Sequence, residues 1–402
     1  MTPLRLAAAG LVLLASPSLA QAPAQAPAWA QGRPDHMANS PLAPHAPKMT
    51  VTPPNEVPLD RLRVPAGFKV ELWAHGMPGA RMMALGDRGT VFVGTRVIGR
   101  VYAVTDQGGS RTHRILAQGL TQPNGIAFRD GALTVMAINQ VLRWDGIEGR
   151  LDNPGAPADL TAAFNLPPDQ HHGWKFTAFG PDGRIYTNIG VPCNICTFDR
   201  DRYALIVSFR ADGSDRRIEA RGIRNSVGFD WHPTTRELWA TNNGRDWAGN
   251  DEPHDTLHRI RRSGKDHGFP WCVGSWADPE PSLGRRQCSE FEQPAASLGP
   301  HTAPLGMRFY TGTMFPEAYR NQAFIARRGS WNRERMSGYD VVVAKIDGQG
   351  RVTAVEPFLT GLLDENAQKF HGRPVDVLQL RDGSLLVSDE QNGVIYRISY
   401  GG

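Results

Sequence analysis

The sequence predicts an all-β chain closed into a six-bladed β-propeller. Two observations carry that expectation. Strand–turn–strand units with alternating apolar residues and a Gly-containing turn recur six times, and helical periodicity is nearly absent. One such unit cannot bury both faces of its sheet. Stacked radially, the units bury both faces and keep their edges short and protected. A pair of β-sandwiches is the rival on pattern alone and explains the repeats less well.

In chain order, the first unit is RGTVFVGTRVIGRVYAVTDQG (88–108) and the second RDGALTVMAINQVLRWDG (129–146). The third joins PDGRIYTNIG (181–190) to ALIVSFRADGS (204–214), and the fourth joins TTRELWATNNG (234–244) to LHRIRRSG (257–264). The fifth joins NQAFIARRGSW (321–331) to YDVVVAKIDGQG (339–350), and the sixth is RDGSLLVSDEQNGVIYRIS (381–399). The third strand of a blade is expected at VYAV, IVSF, VVVAKI and IYRI. The blades should run from about residue 60 to 400, inside a domain spanning 56–402.

Ahead of that domain, MTPLRLAAAGLVLLASPSLA carries Arg5, an apolar run from Leu6 to Ala15 and small residues ending at Ala20. It reads as a signal peptide (1–20) for export to a periplasmic or extracellular location, because the run is too short to span a bilayer. No other stretch is long enough to cross one, so no stable membrane insertion is expected. Residues 21–55 are Pro/Ala-rich without periodicity, which predicts a flexible leader. The 402-residue chain has a net charge of +4, with its arginines scattered instead of forming a stripe, so nucleic acid is not an expected partner. In an exported chain its four cysteines are open to oxidation, and Cys193–Cys196 with Cys272–Cys288 is the simplest pairing. No second CxxC completes a zinc site, and no His follows Cys196 as haem attachment needs.

Function in a propeller gathers on the loops at one end of the channel. DQHHGWKF (169–176) holds adjacent imidazoles, His171 and His172. Preceding a strand, one should face the channel and its neighbour away; the plain alternative is a pair of solvated loop histidines. A neutral imidazole at a pocket mouth suits a general base. GIRNSVGFDWHP (222–233) offers Arg224 and Asn225, a charged fork beside an amide, or else a surface Arg and a turn Asn. NNGRDWAGNDEPHD (242–255) is rich in Gly and oxygen donors, with Asp246, Asp251, Glu252 and Asp255, and suits a hard cation such as calcium, although acidic Gly loops are usually solvated turns. RRGSWNR (327–333) and HGRPVDV (371–377) each set an Arg beside a Gly. Several arginines on one channel would trap a multiply carboxylated ligand.

In this order the segments HHGWKF with AFGPDGRIY, PCNIC, GIRNSVGFDWHP, NNGRDW, GSWNR with GYDVVV, and GRPVDV with DGSLLVSD resemble the soluble glucose/sorbosone dehydrogenase family, on its sorbosone-dehydrogenase-like branch, over residues 57–400. That resemblance implies an exported six-bladed propeller that oxidises a sugar, sugar-aldehyde or related alcohol with pyrroloquinoline quinone (PQQ) and Ca2+. It places the catalytic His at His171, through the match of Gly173, Lys175 and Phe176; counting back from FGPDG lands on His172. It implies Arg224 and Asn225 beside the quinone, with Arg224 also stabilising charge on the quinone oxygen. It adds Arg328, Arg373 and Lys175 as cofactor-binding residues, and the backbone of Gly244 and Arg245 as the metal position. Arg245 stands where the family often has Pro. With no haem site in the chain, electrons would leave to an external acceptor. Two rivals stand beside this: a calcium-dependent lactonase using Asn124 and Asn188 or Asn225, and a non-catalytic binding propeller.

Overall fold

The structure, a computed structural model, describes residues 27–401. The expected signal peptide lies outside the described residues. Six sheets are arranged as a six-bladed β-propeller. Blade one comprises strands Ala80–Leu85, Val91–Thr95, Val101–Gln107 and Ser110–Ala117. Blade two runs through Gly125–Arg129, Ala132–Met136, Val141–Trp144 and Ala158–Asp159. Blade three has Thr177–Phe179, Ile185–Ile189, Leu205–Phe209 and Arg217–Arg221, with the short strand Lys265–Asp266 added in parallel. Blade four is Phe229–Trp231, Leu238–Asn242, His254–Ile260 and Ala296–Pro300. Blade five is Pro304–Phe309, Ala323–Arg327, Asp340–Ile346 and Val352–Leu359.

Blade six is completed from both ends of the domain. Pro374–Gln379, Leu385–Asp389 and Val394–Tyr400 take Phe68–Ala74 as their outer strand, in antiparallel register Phe68↔Tyr400, Val70↔Ile398 and Leu72↔Tyr396. This tie between the first and last strands closes the ring, with Phe68–Ala74 as the outer edge of the last blade. Phe68 clinches it, packing edge-on against Phe315, Tyr319 and Phe358 at centroid distances of 4.8, 5.2 and 5.0 Å. Burying each such side chain contributes about 1.5–3 kcal/mol.

The expected third strands VYAV, IVSF, VVVAKI and IYRI all occupy third positions. Second and third strands are buried on both faces, while the outer Ser110–Ala117 is mostly exposed. Buried carboxylates stitch successive blades: Asp376 Oδ2 accepts the Met83 N–H at 2.8 Å, and Asp230 Oδ2 that of Phe309 at 2.8 Å. Burial raises Asp376 to about 6.

Both expected disulfides form, Cys193–Cys196 and Cys272–Cys288, with Cα–Cα distances of 6.2 and 5.6 Å. The described part of the expected flexible leader, 27–55, has almost no core of its own. It nonetheless makes specific contacts with the propeller, because its Gln31 and His45 side chains and the Trp29 carbonyl find partners there.

Candidate active site

In an antiparallel blade the start of the first strand and the end of the second lie at the same end of the sheet. One cavity of about 550 Å³ is lined from those points by most of the blades. Blade one gives Arg81 and Arg96, and the entry to blade three gives His171, His172 and Trp174. Blade four contributes Arg224, Asn225, Gly244, Asp246 and Asp255; blades five and six contribute Arg328, Asn332, Arg373 and Glu390. Sites separated by up to 309 residues in sequence therefore meet.

The lining carries five guanidiniums, Arg81, Arg96, Arg224, Arg328 and Arg373, and the Lys48 ammonium. Against them stand three carboxylates, Asp246, Asp255 and Glu390, which leaves three positive charges in excess. Glu390 pairs with both Arg81 and Arg328. Its burial pushes the carboxyl up, but the charges of Arg328, Arg81 and Arg373 outweigh that and hold it well below the usual carboxylate range. Burial, then the Arg81 and Arg328 charges, lowers Arg96 to about 9; burial and Arg328 lower Arg373 to about 9. Both stay protonated at neutral pH.

The histidines sit in a tight turn, not on a strand. Gly173 makes the turn possible: a Cβ there would lie 1.8 Å from the Asp169 carbonyl oxygen. Gly190 allows the turn to rest on the end of the neighbouring strand, since its Cβ would lie 2.5 Å from His172 Cβ. His172 has φ of 51°, so strand alternation does not apply, and both imidazoles line the cavity with their rings 4.0 Å apart. This corrects the expectation that one faces away. His172 Nδ1 donates to the Val191 carbonyl at 3.0 Å. His171 Nε2 is buried with no partner. Burial, then Arg224 and Arg96, lowers His171 to about 4, partly offset by a hydrogen bond with the Cys193 backbone. His172 is held well below the usual imidazole value by burial, then by His171 and Arg224. Both are neutral at pH 7.

Arg224 is held on all sides. Its Nε and Nη2 donate to the Asn194 carbonyl and Oδ1 at 3.1 and 2.8 Å, Nη1 donates to Gly244 O at 2.8 Å, and Asp246 lies 3.5 Å from Nη2. Asn194, fully buried in the Cys193–Cys196 loop, is the fixing point. Asn225 is 3 % exposed and its Oδ1 has no partner. Trp174 Nε1 and Asn332 Nδ2 are likewise buried and unpartnered. Four of the nine buried, unpartnered side-chain polar atoms among the described residues thus belong to residues that line this one cavity, and each carries a desolvation cost that a hydrogen-bonding ligand would relieve.

Two expected site residues are placed elsewhere. Lys175 does not line the cavity: it is fully buried ahead of the strand, Nζ donates to Gly173 O at 2.5 Å, and burial lowers it to about 8. Arg245, expected to act through its backbone, is not part of the lining, and its side chain pairs with Asp278 at 2.8 Å. Gly244 does line the cavity, but its carbonyl accepts from Arg224. Among the described residues no group of three or more His, Cys, Asp or Glu side chains is placed to hold a metal by itself. Sequence reasoning missed Arg81, Arg96, Trp174, Asn332 and Glu390. The available signal was an Arg inside apolar strand sequence, in GARMMAL and GTRVIGR.

The sequence model of one family, TrAA12-like, matches residues 192–401, half of the chain. The chain belongs to the TrAA12-like family. A relative of Borreliella burgdorferi, an uncharacterized protein, is 31% identical over 355 residues, covering 84% of this chain and 91% of that protein. A pyrroloquinoline quinone-dependent pyranose dehydrogenase of Coprinopsis cinerea is 22% identical over 409 residues; the match covers 85% of this chain and 55% of that protein, so the chain spans about half its length. Solved structures share the fold. The holo form of the pyranose dehydrogenase PQQ domain from Coprinopsis cinerea superposes with a TM-score of 0.69 at 22% identity, covering 84% of this chain and 97% of that chain. A calcium structure of the Trichoderma reesei carbohydrate-active enzymes family AA12 gives 0.70 at 18% identity, with 85% and 97% covered. The PQQ-bound aldose sugar dehydrogenase from Streptomyces coelicolor gives 0.60 at 18%, with 84% and 99% covered.

Proposed function

We propose that this TrAA12-like chain is an exported quinoprotein dehydrogenase that oxidises a sugar, a sorbosone-like sugar aldehyde or a related alcohol. One observation carries the reading: the cavity holds three positive charges in excess and four unpartnered polar atoms. PQQ is an ortho-quinone with three carboxylates, which matches that excess, and when bound it accepts a hydride whose electrons then pass to an external acceptor.

The chain's own groups do the rest. Arg81, Arg96, Arg328 and Arg373 hold carboxylates as charged forks. Arg224, clamped by Asn194, keeps a fixed positive charge beside the reacting oxygens. His171 acts as the base: its neutral Nε2 has no partner and takes the hydroxyl proton of the substrate. His172, tied to Val191 O, sets the position of His171 by ring contact. Asn225 Oδ1 accepts a hydrogen bond from a donor on the bound molecules. Calcium would be held by oxygen donors that line the cavity, the Asp246 and Asp255 carboxylates, with the Gly244 carbonyl joining them by sharing or releasing its bond from Arg224 Nη1. Burial raises both carboxyls, so a cation beside them would be favourable. Three protein donors fall short of the six to eight that calcium takes, so ligand oxygens and water would complete the set. There the ion would polarise a carbonyl.

The lactonase reading keeps Asn225, which lines the cavity, but loses Asn124 and Asn188. Asn124 accepts from Arg81 Nε at 2.6 Å and donates to Lys175 O, and Asn188 accepts the Phe176 N–H at 2.6 Å. Both amides are spent on the chain itself, and neither lines the cavity.

The test is reconstitution of the purified chain with PQQ and calcium, followed by dye reduction with a panel of sugars and alcohols. The reading expects quinone uptake and sugar-dependent turnover, with His171→Ala keeping the quinone and losing turnover about 10²- to 10⁴-fold. Loss of turnover in His172→Ala alone would move the base to His172. No uptake of quinone would end the proposal.

A further inference from the structure

The segment 190–198 leaves the second strand of blade three, Ile185–Ile189, and belongs to no helix or strand. Three of its residues hold groups of the cavity. The Val191 carbonyl accepts from His172 Nδ1 at 3.0 Å, and the Val191 N–H donates to the Arg224 carbonyl at 3.1 Å. The Cys193 backbone is hydrogen-bonded to His171. Asn194 uses every polar group it has. Its carbonyl and Oδ1 accept from Arg224, Oδ1 also accepts the Asp246 N–H at 2.8 Å, and Nδ2 donates to the Asp246 carbonyl at 3.0 Å. Its backbone N–H and Nδ2 donate to Gln31 Oε1 and O, both at 2.9 Å, which ties down the strap, residues 27–49, whose Trp29 and His45 line the cavity. Both imidazoles, the fixed cation and the backbone of one lining carboxylate therefore take their positions from one short stretch, 191–194.

No regular secondary structure fixes that stretch, and the disulfide from Cys193 to Cys196 closes it three residues on. Cys193 is 6 % exposed and packs with Val191, Ile195, Ala204 and Phe269. A bond across so short a span constrains the unfolded chain less than Cys272–Cys288, whose partners are 16 residues apart, so it contributes the smaller share of global stability. Its effect is local. It fixes the backbone at Cys193 and Asn194, on which the bonds to His171 and Arg224 depend. The longer bridge supplies the contrast, because none of the described residues 272–288 lines the cavity. Cys196 is half-buried while Cys193 is enclosed, so an external thiolate meets the Cys196 sulfur first.

We propose that the Cys193–Cys196 bond is a positioning element for the reactive end of the cavity, so that the thiol–disulfide state of this one bond sets quinone affinity and turnover. The exchange is a two-electron step with an external dithiol. One thiolate attacks the Cys196 sulfur and expels the Cys193 thiolate; the second thiol of the reductant then displaces Cys196 and closes its own disulfide. Two electrons and two protons pass to the protein, which is left with two thiols. The effect on turnover rests on the dehydrogenase reading. The experiment compares the wild type, the double variant Cys193→Ser/Cys196→Ser and the double variant Cys272→Ser/Cys288→Ser, by calorimetry with PQQ, steady-state kinetics and imidazole NMR of the quinone-free chain. The second variant keeps only the short bond and is also measured after reduction with dithiothreitol and after reoxidation. Cys193→Ser/Cys196→Ser is expected to bind PQQ roughly three- to tenfold more weakly and to lose kcat at least about tenfold, with KM within about twofold. Its His171 resonances should shift and broaden. Reduction of Cys272→Ser/Cys288→Ser should do the same and reoxidation should reverse it, while the oxidised form matches the wild type in all three readouts. Wild-type affinity, kcat and His171 resonances in Cys193→Ser/Cys196→Ser overturn the proposal. So does a loss confined to melting temperature, which would make the bond a staple only, and so do equal losses on removing either bridge. If a variant does not fold, graded reduction of the wild type with the free thiols mapped by alkylation decides: losses that track opening of Cys193–Cys196 support the proposal, and losses that track Cys272–Cys288 or neither overturn it. An oxidised wild type that takes up no quinone ends the dehydrogenase reading by itself, and the quinone-free imidazole NMR still decides whether the bond positions His171.

Discussion

Replacing Glu390 by Gln should move stability and anion affinity in opposite directions. Glu390 is the counter-charge of Arg81 and Arg328 inside the cavity, and their side chains are 2 % and 17 % exposed. Removing one partner of such a buried pair costs about 3–5 kcal/mol. The unfolding entropy of a propeller this size is on the order of 0.7 kcal/mol per kelvin, so Tm should fall by about 4–7 °C. The same change frees two guanidiniums and removes a repulsive charge. A ligand carboxylate about 6 Å from Glu390, at an effective dielectric of about 20, is repelled by about 2.8 kcal/mol. Tricarboxylate affinity should therefore rise, at least tenfold at low salt. The pH dependence supplies a sign check. Glu390 titrates lower folded than unfolded, so its stabilisation is present above the unfolded carboxyl pKa and is lost as pH falls through the depressed folded value. That acid-side loss should shrink in the Gln variant. The assays are thermal melts from pH 3 to 8 and calorimetry with PQQ. A variant that melts earlier and also binds the quinone more weakly would refute the reasoning, by showing that Glu390 positions its arginines for the ligand instead of competing with it.

Three further outcomes follow from the same geometry. His171 titrates near 4 because of burial and then Arg224 and Arg96; a polyanion above it should offset those charges and raise the value, which imidazole NMR titration with and without PQQ would detect, and an unmoved value would separate the imidazole from the cofactor site. Because its folded value lies below the unfolded one, His171 also withdraws stability as pH falls from about 6.5 towards 4. Asn194→Ala strips Arg224 Nη2 of its 2.8 Å acceptor and should cost about 1.5–3 kcal/mol and weaken quinone binding, whereas a variant with wild-type melting and affinity would show that Arg224 needs no such clamp. Chelation of calcium should lower quinone affinity while leaving the melting of the quinone-free chain within a degree or so, since among the described residues no group of three or more His, Cys, Asp or Glu side chains is placed to hold an ion; a large melting shift without quinone would point to a structural ion.

Much of the ring was legible because blade strands alternate apolar residues and end on Gly turns, a period the chain repeats at VYAV, IVSF, VVVAKI and IYRI. The closing strand Phe68–Ala74 was not, since an outer strand buries little and FKVELWA mixes Lys69 and Glu71 with its apolar residues. Within the site, Arg224, Asn225, Arg328 and Arg373 announced themselves as Arg–Gly or Arg–Asn clusters on long loops. Arg81 and Glu390 did not, because their meaning lies in a pairing across 309 residues that exists only once the ring is closed. Lys175 misled for the converse reason: its motif position matches, but it follows a turn with left-handed His172, and its buried ammonium bonds back to the Gly173 carbonyl instead of lining the cavity. The strap was read as leader because Pro/Ala composition conceals that single residues, Trp29, Gln31 and His45, anchor it.

The account rests on three excess positive charges recognising a tricarboxylate, and titration calorimetry of the quinone-free chain with PQQ and with its trimethyl ester measures that recognition directly. The account predicts one quinone per chain, with affinity falling as salt rises and the triester bound at least about a hundredfold more weakly. Equal binding of acid and triester, or no binding of either, would contradict it.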